Sequence, residues 1–397
     1  MTDARWDQLY RRAKAELTEN LLPWWMTHAV DQLGGFHGAV GNDNRPEPDA
    51  RRHAVLFARL VWTFSSCYRV LGGGEYLRLA RRAHDYLIAN FWDAAHGGVY
   101  TLLDARGAVL DDRKMVYANA FAIYALAEYG RATGDGQAIA RASLLADRLR
   151  ERAFDPVHRG YVEVCDRDFT PNPWLRGMNR RPSDEKTMNT HLHLLEAHTC
   201  LLRVDGGQRS RVREQLYVML NRIVNRDTHH FHYFQDAAWN PTTADVSFGH
   251  DIEGSWLMME AAEVLGEPEA RRATREVCVN IARACLDEGL TEQGAMRTEY
   301  DPVAREYSHR LSWWEQNEAV VGFVNAWQAT GEGKFLDAAL RCYDYLDAHF
   351  VDRAGGGWFA ILNADGAPLS TKKADGFICP YHNARMCLEL IERHDHA

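Results

Sequence analysis

Apolar residues recur along the chain at the three- and four-residue spacing of amphipathic helices. Two such stretches, YLRLARRAHDYLIANF and YANAFAIYALAEYGRATG, lie on either side of a short turn at Gly98. The stretches FLDAALRCYDYLDAHF and HNARMCLELIER stand in the same order around Gly357. The pattern therefore predicts pairs of helices, with a short turn or hairpin and a loop between the two members of each pair.

The turns themselves recur at a nearly constant interval. Five combine glycine with an aromatic or apolar residue, and a related sixth, THHFHYFQ, has no glycine at its centre. Successive centres lie 62 to 70 residues apart, and such a fixed period indicates a repeat architecture. The centres are Gly35, Gly98, Gly160, His230, Gly294 and Gly357.

Six pairs of outer and inner helices predict an all-α fold, an (α/α)6 barrel of six helix-pair repeats with short β-hairpins at one end. We expect this barrel to form a single domain over residues 1–397. The alternative is an open helical solenoid, which would have distinct capping repeats and no closed interior.

Composition narrows the range of partners. The formal net charge of -9 argues against nucleic acid, because phosphate binding requires a basic surface. No stretch approaches the ~20 apolar residues of a membrane span, and the first residues lack the hydrophobic segment of a signal peptide. The eight cysteines include no C-x-x-C pair, which favours buried thiols. We expect a cytoplasmic monomer or homodimer that binds a small molecule and neither nucleic acid nor a membrane.

Polar or aromatic residues stand at the start of the second helix of every repeat. In a closed barrel these equivalent positions ring one end of the axis, so the residues would face a single pocket. The set comprises Arg59, Tyr117, Asn189, His191, His193, His250, Glu253, Trp314, Glu318, His382 and Arg385. For His191, and for His198 further along the same helix, a capping or core role is the simpler interpretation.

The segment GHDIEGSW places His250 and Glu253 three residues apart on one helix. At this spacing a carboxylate can accept a hydrogen bond from one imidazole nitrogen and fix the tautomer of the ring. Asp251 points elsewhere around the helix, and its predicted role is favourable charge near the helix N-terminus.

The candidate pocket is dominated by histidines. No H-E-x-x-H motif or phosphate-binding glycine loop is present in the sequence, so we expect neither a required metal nor a cofactor. Imidazoles suit proton abstraction next to a sugar carbonyl at neutral pH. Two bases on opposite faces of C2 would epimerise the sugar, whereas proton delivery to C1 would give the ketose. A non-catalytic sugar-binding barrel is a further alternative, and a glycoside hydrolase, which needs two flanking carboxylates, fits the residues least well.

Several strings resemble one family along nearly the whole chain. MNTHLHLLEAHT, SFGHDIEGSWL and PYHNARMC, together with HGGVY, FAIYALAEY and EAVVGFVNAWQ, are similar to the N-acylglucosamine 2-epimerase superfamily, and within it most closely to the cellobiose 2-epimerases. The resemblance implies an (α/α)6 barrel and cofactor-free epimerisation of a sugar at C2 through a cis-enediolate.

The resemblance also implies a role for each matching residue. His250 and His382 would be the acid–base pair on opposite faces of C2. Glu253 would orient His250, and His193 would assist ring opening or steer the proton. The expected substrate-binding residues are Arg59, Tyr117, Asn189, Trp314, Glu318 and Phe377.

One loop departs from the family pattern. Cellobiose-acting members carry a tryptophan before PYHN that stacks on the second sugar ring, whereas this chain has Phe377 followed by Ile378. A smaller ring offers a weaker stacking surface, so mannose or glucose becomes a candidate substrate beside cellobiose or lactose. Glu315 and Asn317 also stand where the family has smaller residues.

Overall fold

A computed structural model describes residues 3–178, 181, 183–363 and 365–395 of the chain. Its long helices alternate between a partly exposed outer helix and an almost fully buried inner helix. The outer helices are α1 (Ala4–Ala15), α4 (Gly74–Tyr86), α6 (Gly136–Arg152), α8 (Arg209–Val218), α10 (Pro268–Ala284) and α12 (Gly333–His349). The inner helices are α3 (Ala54–Leu71), α5 (Val116–Thr133), α7 (Met188–Leu202), α9 (Phe248–Leu265), α11 (Trp313–Thr330) and α13 (Tyr381–Asp395).

Shorter helical segments complete this frame. One helical turn, α2, spans Leu22–Trp24, and a 3₁₀ turn spans Gly206–Gln208 before α8. Wide π-helical turns lie on both sides of α2 and directly after α4, α8 and α10. Their bounds are Glu16–Leu21, Trp25–Ala29, Leu87–Phe91, Met219–Ile223 and Cys285–Gly289.

The inner helices form a closed ring. Each packs against the next along the chain, and α13 packs back against α3. Each outer helix packs against an inner helix, and α1 covers α13. The predicted (α/α)6 barrel is therefore confirmed, and the open solenoid is excluded because the first and last inner helices are neighbours.

Helix α3 shows why apolar composition alone does not identify a membrane span. It is the one helix among the described residues that is long and apolar enough to cross a bilayer, but 78% of it is buried inside the protein. An inner helix of a ring is apolar on nearly every face because other helices surround it. All eight cysteines are free and buried, as the sequence predicted.

Short antiparallel strands form a second ring at the end where the inner helices begin. The strand before each inner helix pairs with a strand of the next repeat, and β14 pairs with β1 to complete the circle. The strands are β1 (Val40–Gly41), β2 (Arg52–His53), β3 (Leu102–Leu103), β4 (Val109–Asp111), β5 (Lys114–Met115), β6 (Val164–Cys165), β7 (Lys186–Thr187), β8 (Phe234–Gln235), β9 (Val246–Ser247), β10 (Glu299–Asp301), β11 (Glu306–Tyr307), β12 (Leu311–Ser312), β13 (Ile361–Leu362) and β14 (Lys372–Ala374).

Four inner helices hold the preceding turn through the side chain at their fourth position. This side chain accepts a hydrogen bond from a backbone N–H just beyond the turn. The pairs are Asn119 with Val99 (2.9 Å), His191 with Tyr161 (2.9 Å), Asp251 with Phe231 (2.8 Å) and Gln316 with Met296 (2.7 Å). Buried backbone donors need a partner, so His191 and Asp251 have a structural role, although Asp251 also lies in the first turn of its helix, as predicted.

These contacts explain why glycine marks the repeat. Gly98 has φ +67°, and a Cβ there would lie 2.5 Å from Asn119 Oδ1. Gly160 has φ +81°, and its Cβ would lie 2.8 Å from His191 Nε2. Only glycine combines this backbone conformation with so close an approach. At these two repeats the glycine visible in the sequence is therefore the place where the bracing side chain of the inner helix meets the turn.

The Gln316 contact gives a stability prediction. Gln316 accepts from Met296 N and donates to Met296 O at 2.8 Å, in a fully buried position. Gln316→Ala leaves both backbone groups unpaired, so we expect the free energy of unfolding to fall by about 3 kcal/mol. Urea denaturation measures the change. Gln137→Ala, at an exposed position of α6, is the control, and an equal effect of the two substitutions would contradict the proposed bracing.

Candidate active site

One cavity of about 670 Å³ opens at the strand-bearing end of the barrel. Nine of the ten predicted site residues line it, although they come from six helices and one loop. They are Arg59, Tyr117, Asn189, His193, His250, Glu253, Trp314, Phe377 and His382. The tenth, Glu318, lies behind His382. The ring closure therefore brings together residues that are more than 300 positions apart in sequence.

Trp314 lies against both predicted acid–base histidines. Its ring centroid is 4.7 Å from that of His250 and 5.5 Å from that of His382. Tyr233 packs on His250 from another direction, with centroids 5.3 Å apart. The two imidazoles therefore share one aromatic neighbour inside the cavity.

His382 is oriented by Glu318. The Nδ1 atom of His382 lies 2.7 Å from Glu318 Oε1, and Trp256 Nε1 donates to Glu318 Oε2 at 3.0 Å. A carboxylate at Nδ1 stabilises the Nδ1–H tautomer, which leaves the lone pair of Nε2 available as a base. Burial lowers the pKa of His382 well below its usual value, and the positive charges of Arg59 and Arg385 add to this shift. His382 is therefore neutral at neutral pH.

One predicted contact of the acidic residues was wrong. The expected hydrogen bond from His250 to Glu253 is not formed: Ser247 Oγ lies 2.7 Å from His250 Nδ1, and Glu253 Oε1 accepts from Arg385. A guanidinium cation makes charge-assisted hydrogen bonds to a carboxylate, which favours Arg385 as the partner of Glu253. Glu318, predicted to bind substrate, lies outside the cavity lining and contacts His382 Nδ1.

Arg385 connects the acidic groups beneath the cavity. Its fully buried guanidinium donates to Glu196, Glu253 and Glu318, the last at 2.7 Å. It also contacts the Tyr381 hydroxyl, which donates to Glu196. Glu196 Oε2 in turn lies 2.9 Å from His193 Nδ1. One cation thus fixes three carboxylates, and two of these hold His193 and His382.

Part of the same cluster has the residue types of a metal site. Glu253, Glu318 and His382 place one potential ligand atom each within 4.8 Å of one another, the one such group among the described residues. Arg385 Nη2 already donates to both carboxylates of this group. The donor set is therefore occupied by a resident cation, and it does not fit a metal ion.

The carboxyl groups differ in their electrostatics. Burial raises the pKa of Glu253 to about 7, and the nearby Glu318 carboxylate adds to this effect while Arg385 opposes it. Burial also tends to raise the pKa of Glu196, but its contacts with Arg385, His193 and Tyr381 outweigh this effect and lower the pKa to about 2. Glu196 is therefore a permanent anion, whereas Glu253 gains or loses a proton near neutral pH.

Hydrogen-bonding groups also line the cavity. Arg59 donates to the Tyr117 hydroxyl at 2.9 Å and to the Phe377 carbonyl at 3.4 Å, and its guanidinium lies near the rings of Phe121 and Tyr381. Three residues that line the cavity each have a buried polar atom without a hydrogen-bond partner among the described residues: Arg59 Nε, Asn189 Oδ1 and Glu253 Oε2.

Phe377 lies at the rim of the cavity. Its side chain is 39% exposed and packs near the His53 ring, with centroids 5.6 Å apart. Asp375 accepts the Phe377 backbone N–H at 2.8 Å and thereby fixes the loop. The aromatic face is accessible, as a stacking surface at the outer end of the cavity requires.

Glu315 and Asn317 have different environments. Glu315 lines the cavity, and burial raises the pKa of its carboxyl to about 8. It packs against Gly249, where a Cβ would lie 2.3 Å from Glu315 Cγ. Asn317 donates to the Trp313 carbonyl at 2.7 Å and braces its own helix.

Two residues that support the site were not predicted from the sequence. Ser247 precedes α9 and contacts His250, a pairing that its position three residues before the histidine could have suggested. Glu163, between two hairpin strands, accepts from Thr187 N at 3.0 Å and Thr190 Oγ1 at 2.8 Å, and also from the backbone of Met178. It thereby joins the start of α7 to a loop residue that lines the cavity. No sequence pattern signals that contact.

Comparison with known proteins identifies the family. The sequence model of N-acylglucosamine 2-epimerase (GlcNAc 2-epimerase) matches residues 34–385, which is most of the chain. The chain belongs to the N-acylglucosamine 2-epimerase family. A cellobiose 2-epimerase of Bacteroides fragilis is 40% identical to it over 389 residues, covering 96% of this chain and 98% of that protein. A cellobiose 2-epimerase of Ruminococcus albus is 36% identical, covering 96% and 97%.

A solved structure of the family has the same architecture. The cellobiose 2-epimerase of Bacillus thermoamylovorans superposes with a TM-score of 0.92 at 34% identity, covering 98% of this chain and all of that one. The resemblance stated from the sequence is therefore confirmed. Family membership and these relatives identify the chain as a sugar 2-epimerase, an enzyme of the isomerase class.

The Glu253 carboxyl gives a pH-dependent prediction for this family member. Its pKa is about 7 when folded and 4.5 as an unperturbed group, so the folded state binds more protons between these values. The stability that this proton contributes is present at low pH and lost as the pH rises through 7. Glu253→Gln keeps the neutral form at every pH. We expect its stability relative to the wild type to increase by on the order of 2–3 kcal/mol from pH 5 to pH 8.

Denaturant unfolding at several pH values measures this difference. The matched control is Glu19→Gln, at an exposed glutamate, for which we expect the difference from the wild type to stay constant with pH. A constant difference for Glu253→Gln as well would contradict the assignment of a neutral, buried carboxyl to this position.

Proposed function

We propose that this family member epimerises reducing aldoses at C2, with His250 and His382 transferring the proton through a cis-enediolate. One observation carries the proposal: both imidazoles lie against Trp314 in one cavity, and each has its Nδ1 engaged, by Ser247 and Glu318 respectively. Because Nδ1 is engaged in each ring, we assign the contact with the substrate to Nε2.

Ring opening precedes proton transfer at carbon. His193, held by the permanently ionised Glu196, accepts the proton of the O1 hydroxyl as the bond between C1 and the ring oxygen breaks. The protonated His193 then gives this proton to the ring oxygen, which becomes a hydroxyl, so His193 returns to its neutral form and the charge balance is kept. The product is the open-chain aldehyde, in which the hydrogen on C2 is acidic because it lies next to a carbonyl.

One imidazole then removes the C2 proton. The electron pair of the C–H bond forms a C1–C2 double bond, and the carbonyl oxygen becomes the enediolate oxyanion. We assign the stabilisation of this charge to the Arg59 guanidinium and to the adjacent Tyr117 hydroxyl. Burial raises the pKa of Tyr117 to about 12, so its hydroxyl stays protonated and can donate.

The second imidazole returns a proton to the other face of C2. One proton is taken and one is given, so the product differs from the substrate only in configuration, and the two histidines exchange protonation states. The neutral state of His382 suits it to remove a proton from one epimer. For the other epimer the roles reverse, with His250 as the base.

The rim residue Phe377 bears on the choice of sugar. The relatives named as cellobiose 2-epimerases cover nearly the whole chain, which supports a disaccharide such as cellobiose or lactose as substrate. Phe377 offers a smaller stacking face than an indole would. We propose that the enzyme accepts both these disaccharides and the monosaccharides mannose and glucose, because the outer ring contributes little binding energy here.

Variants with a single base test the two-histidine mechanism. In deuterated water, His250→Asn should lose epimerisation but retain deuterium exchange at C2 of the one epimer whose proton His382 removes. His382→Asn should retain exchange only with the other epimer. The residual histidine removes and returns the proton on one face, so label enters without inversion. NMR follows the C2 signals of mannose and glucose. Full epimerisation by either variant would remove the substituted histidine from the mechanism. Fructose as the main product would instead indicate an aldose–ketose isomerase.

A change at the rim tests the proposed substrate range. Phe377→Trp should raise the ratio of kcat/KM for cellobiose to that for mannose by about two- to tenfold, the size of an improved aromatic contact. Phe377→Leu should lower the same ratio. The values come from product analysis at limiting substrate concentration. An unchanged ratio in both variants would show that Phe377 does not contact the second sugar ring.

A further inference from the structure

Ser247 stands at a position where serine usually serves the backbone. It is the residue that precedes α9, and serine there commonly accepts a hydrogen bond from an N–H of the first helical turn. The equivalent Thr187 does so in α7, where it accepts from Thr190 N at 3.1 Å. Ser247 makes no such bond. The Ser247 hydroxyl therefore does not cap the helix, which indicates that this hydroxyl has another role.

The hydroxyl of Ser247 contacts a side chain of the active site instead. Ser247 Oγ lies 2.7 Å from Nδ1 of His250, and both residues line the cavity. The contact is short, and both groups are more than nine-tenths buried. Because Glu253 pairs with Arg385, Ser247 is the described residue that holds the inner nitrogen of His250.

We propose that Ser247 is the positioning residue of His250, and this proposal rests on the proposed epimerase function. A serine oxygen accepts the Nδ1–H of the imidazole whether Nε2 carries a proton or not. The bond therefore persists through both halves of the catalytic cycle and keeps Nε2 directed into the cavity. Glu318 contacts Nδ1 of His382 in the same way, but its side chain is a carboxyl group and not a hydroxyl.

The two histidines consequently differ in how they are supported. Glu318 belongs to the network around Arg385, so a change there alters His193 and Glu253 as well. Ser247 lies outside that network, and its described side-chain hydrogen bond is to His250 alone. Loss of the Ser247 hydroxyl should therefore impair proton transfer by His250 and leave proton removal by His382 intact.

The test compares Ser247→Ala, Ser247→Thr and the control Ser143→Ala. Ser143 lies on outer helix α6, where its hydroxyl donates to Asp205 at 2.7 Å. For Ser247→Ala we expect kcat for epimerisation to fall on the order of tenfold to a hundredfold, a part of the factor that a positioned acid–base group supplies. KM should stay within about twofold. Ser247→Thr restores the hydroxyl and should recover most of kcat, and Ser143→Ala should match the wild type.

Exchange at C2 in deuterated water separates positioning from general damage. In Ser247→Ala the epimer that His382 deprotonates should exchange at nearly the wild-type rate, whereas exchange of the other epimer should slow with kcat. Equal loss for both epimers, or an unchanged kcat, would overturn the proposal. If the wild type itself exchanges neither epimer of any sugar, the proposed function fails; if the wild type exchanges both and Ser247→Ala behaves identically, only the role of Ser247 fails.

Discussion

The active site depends on the ion pairs that the buried guanidinium of Arg385 makes. The guanidinium lies beneath the cavity and holds Glu196, Glu253 and Glu318 at once. Taking charges out of water costs several kcal/mol per ion unless each is paired, so removing Arg385 would leave three carboxylates without their cation. Through these carboxylates it fixes His193 and His382. Only His250, of the three histidines, is held from elsewhere.

The barrel converts a repeat along the chain into a ring around one cavity. Within an inner helix, the second and sixth residues share a face and point into the ring, whereas the fourth residue turns to the preceding hairpin. This division lets the starts of α5, α7, α9 and α11 brace their turns and supply the site at once. The residues at second or sixth positions are Arg59, Tyr117, Asn189, His193, Glu253, Trp314, Glu318 and His382.

The repeat period and the helical spacing were sufficient to predict the fold and eight of the residues that line the cavity, because both depend on local patterns. The pairing of those residues was not predictable. Glu253 lies one helical turn from His250, yet Arg385, 132 positions later, takes its carboxylate. Such competition is decided by which charge lies closest after folding. The side chains that brace the turns could not be predicted either, because four different residue types, asparagine, histidine, aspartate and glutamine, occupy the fourth position of the inner helices.

The most direct test of the central claim is the fate of the C2 hydrogen. The wild-type enzyme, incubated with cellobiose and separately with mannose in deuterated water, is followed by NMR. Proton transfer between two histidines predicts the appearance of the C2 epimer, with deuterium at C2 of both the product and the recovered substrate. Conversion with the original C2 hydrogen fully retained, or no conversion of either sugar, would contradict it.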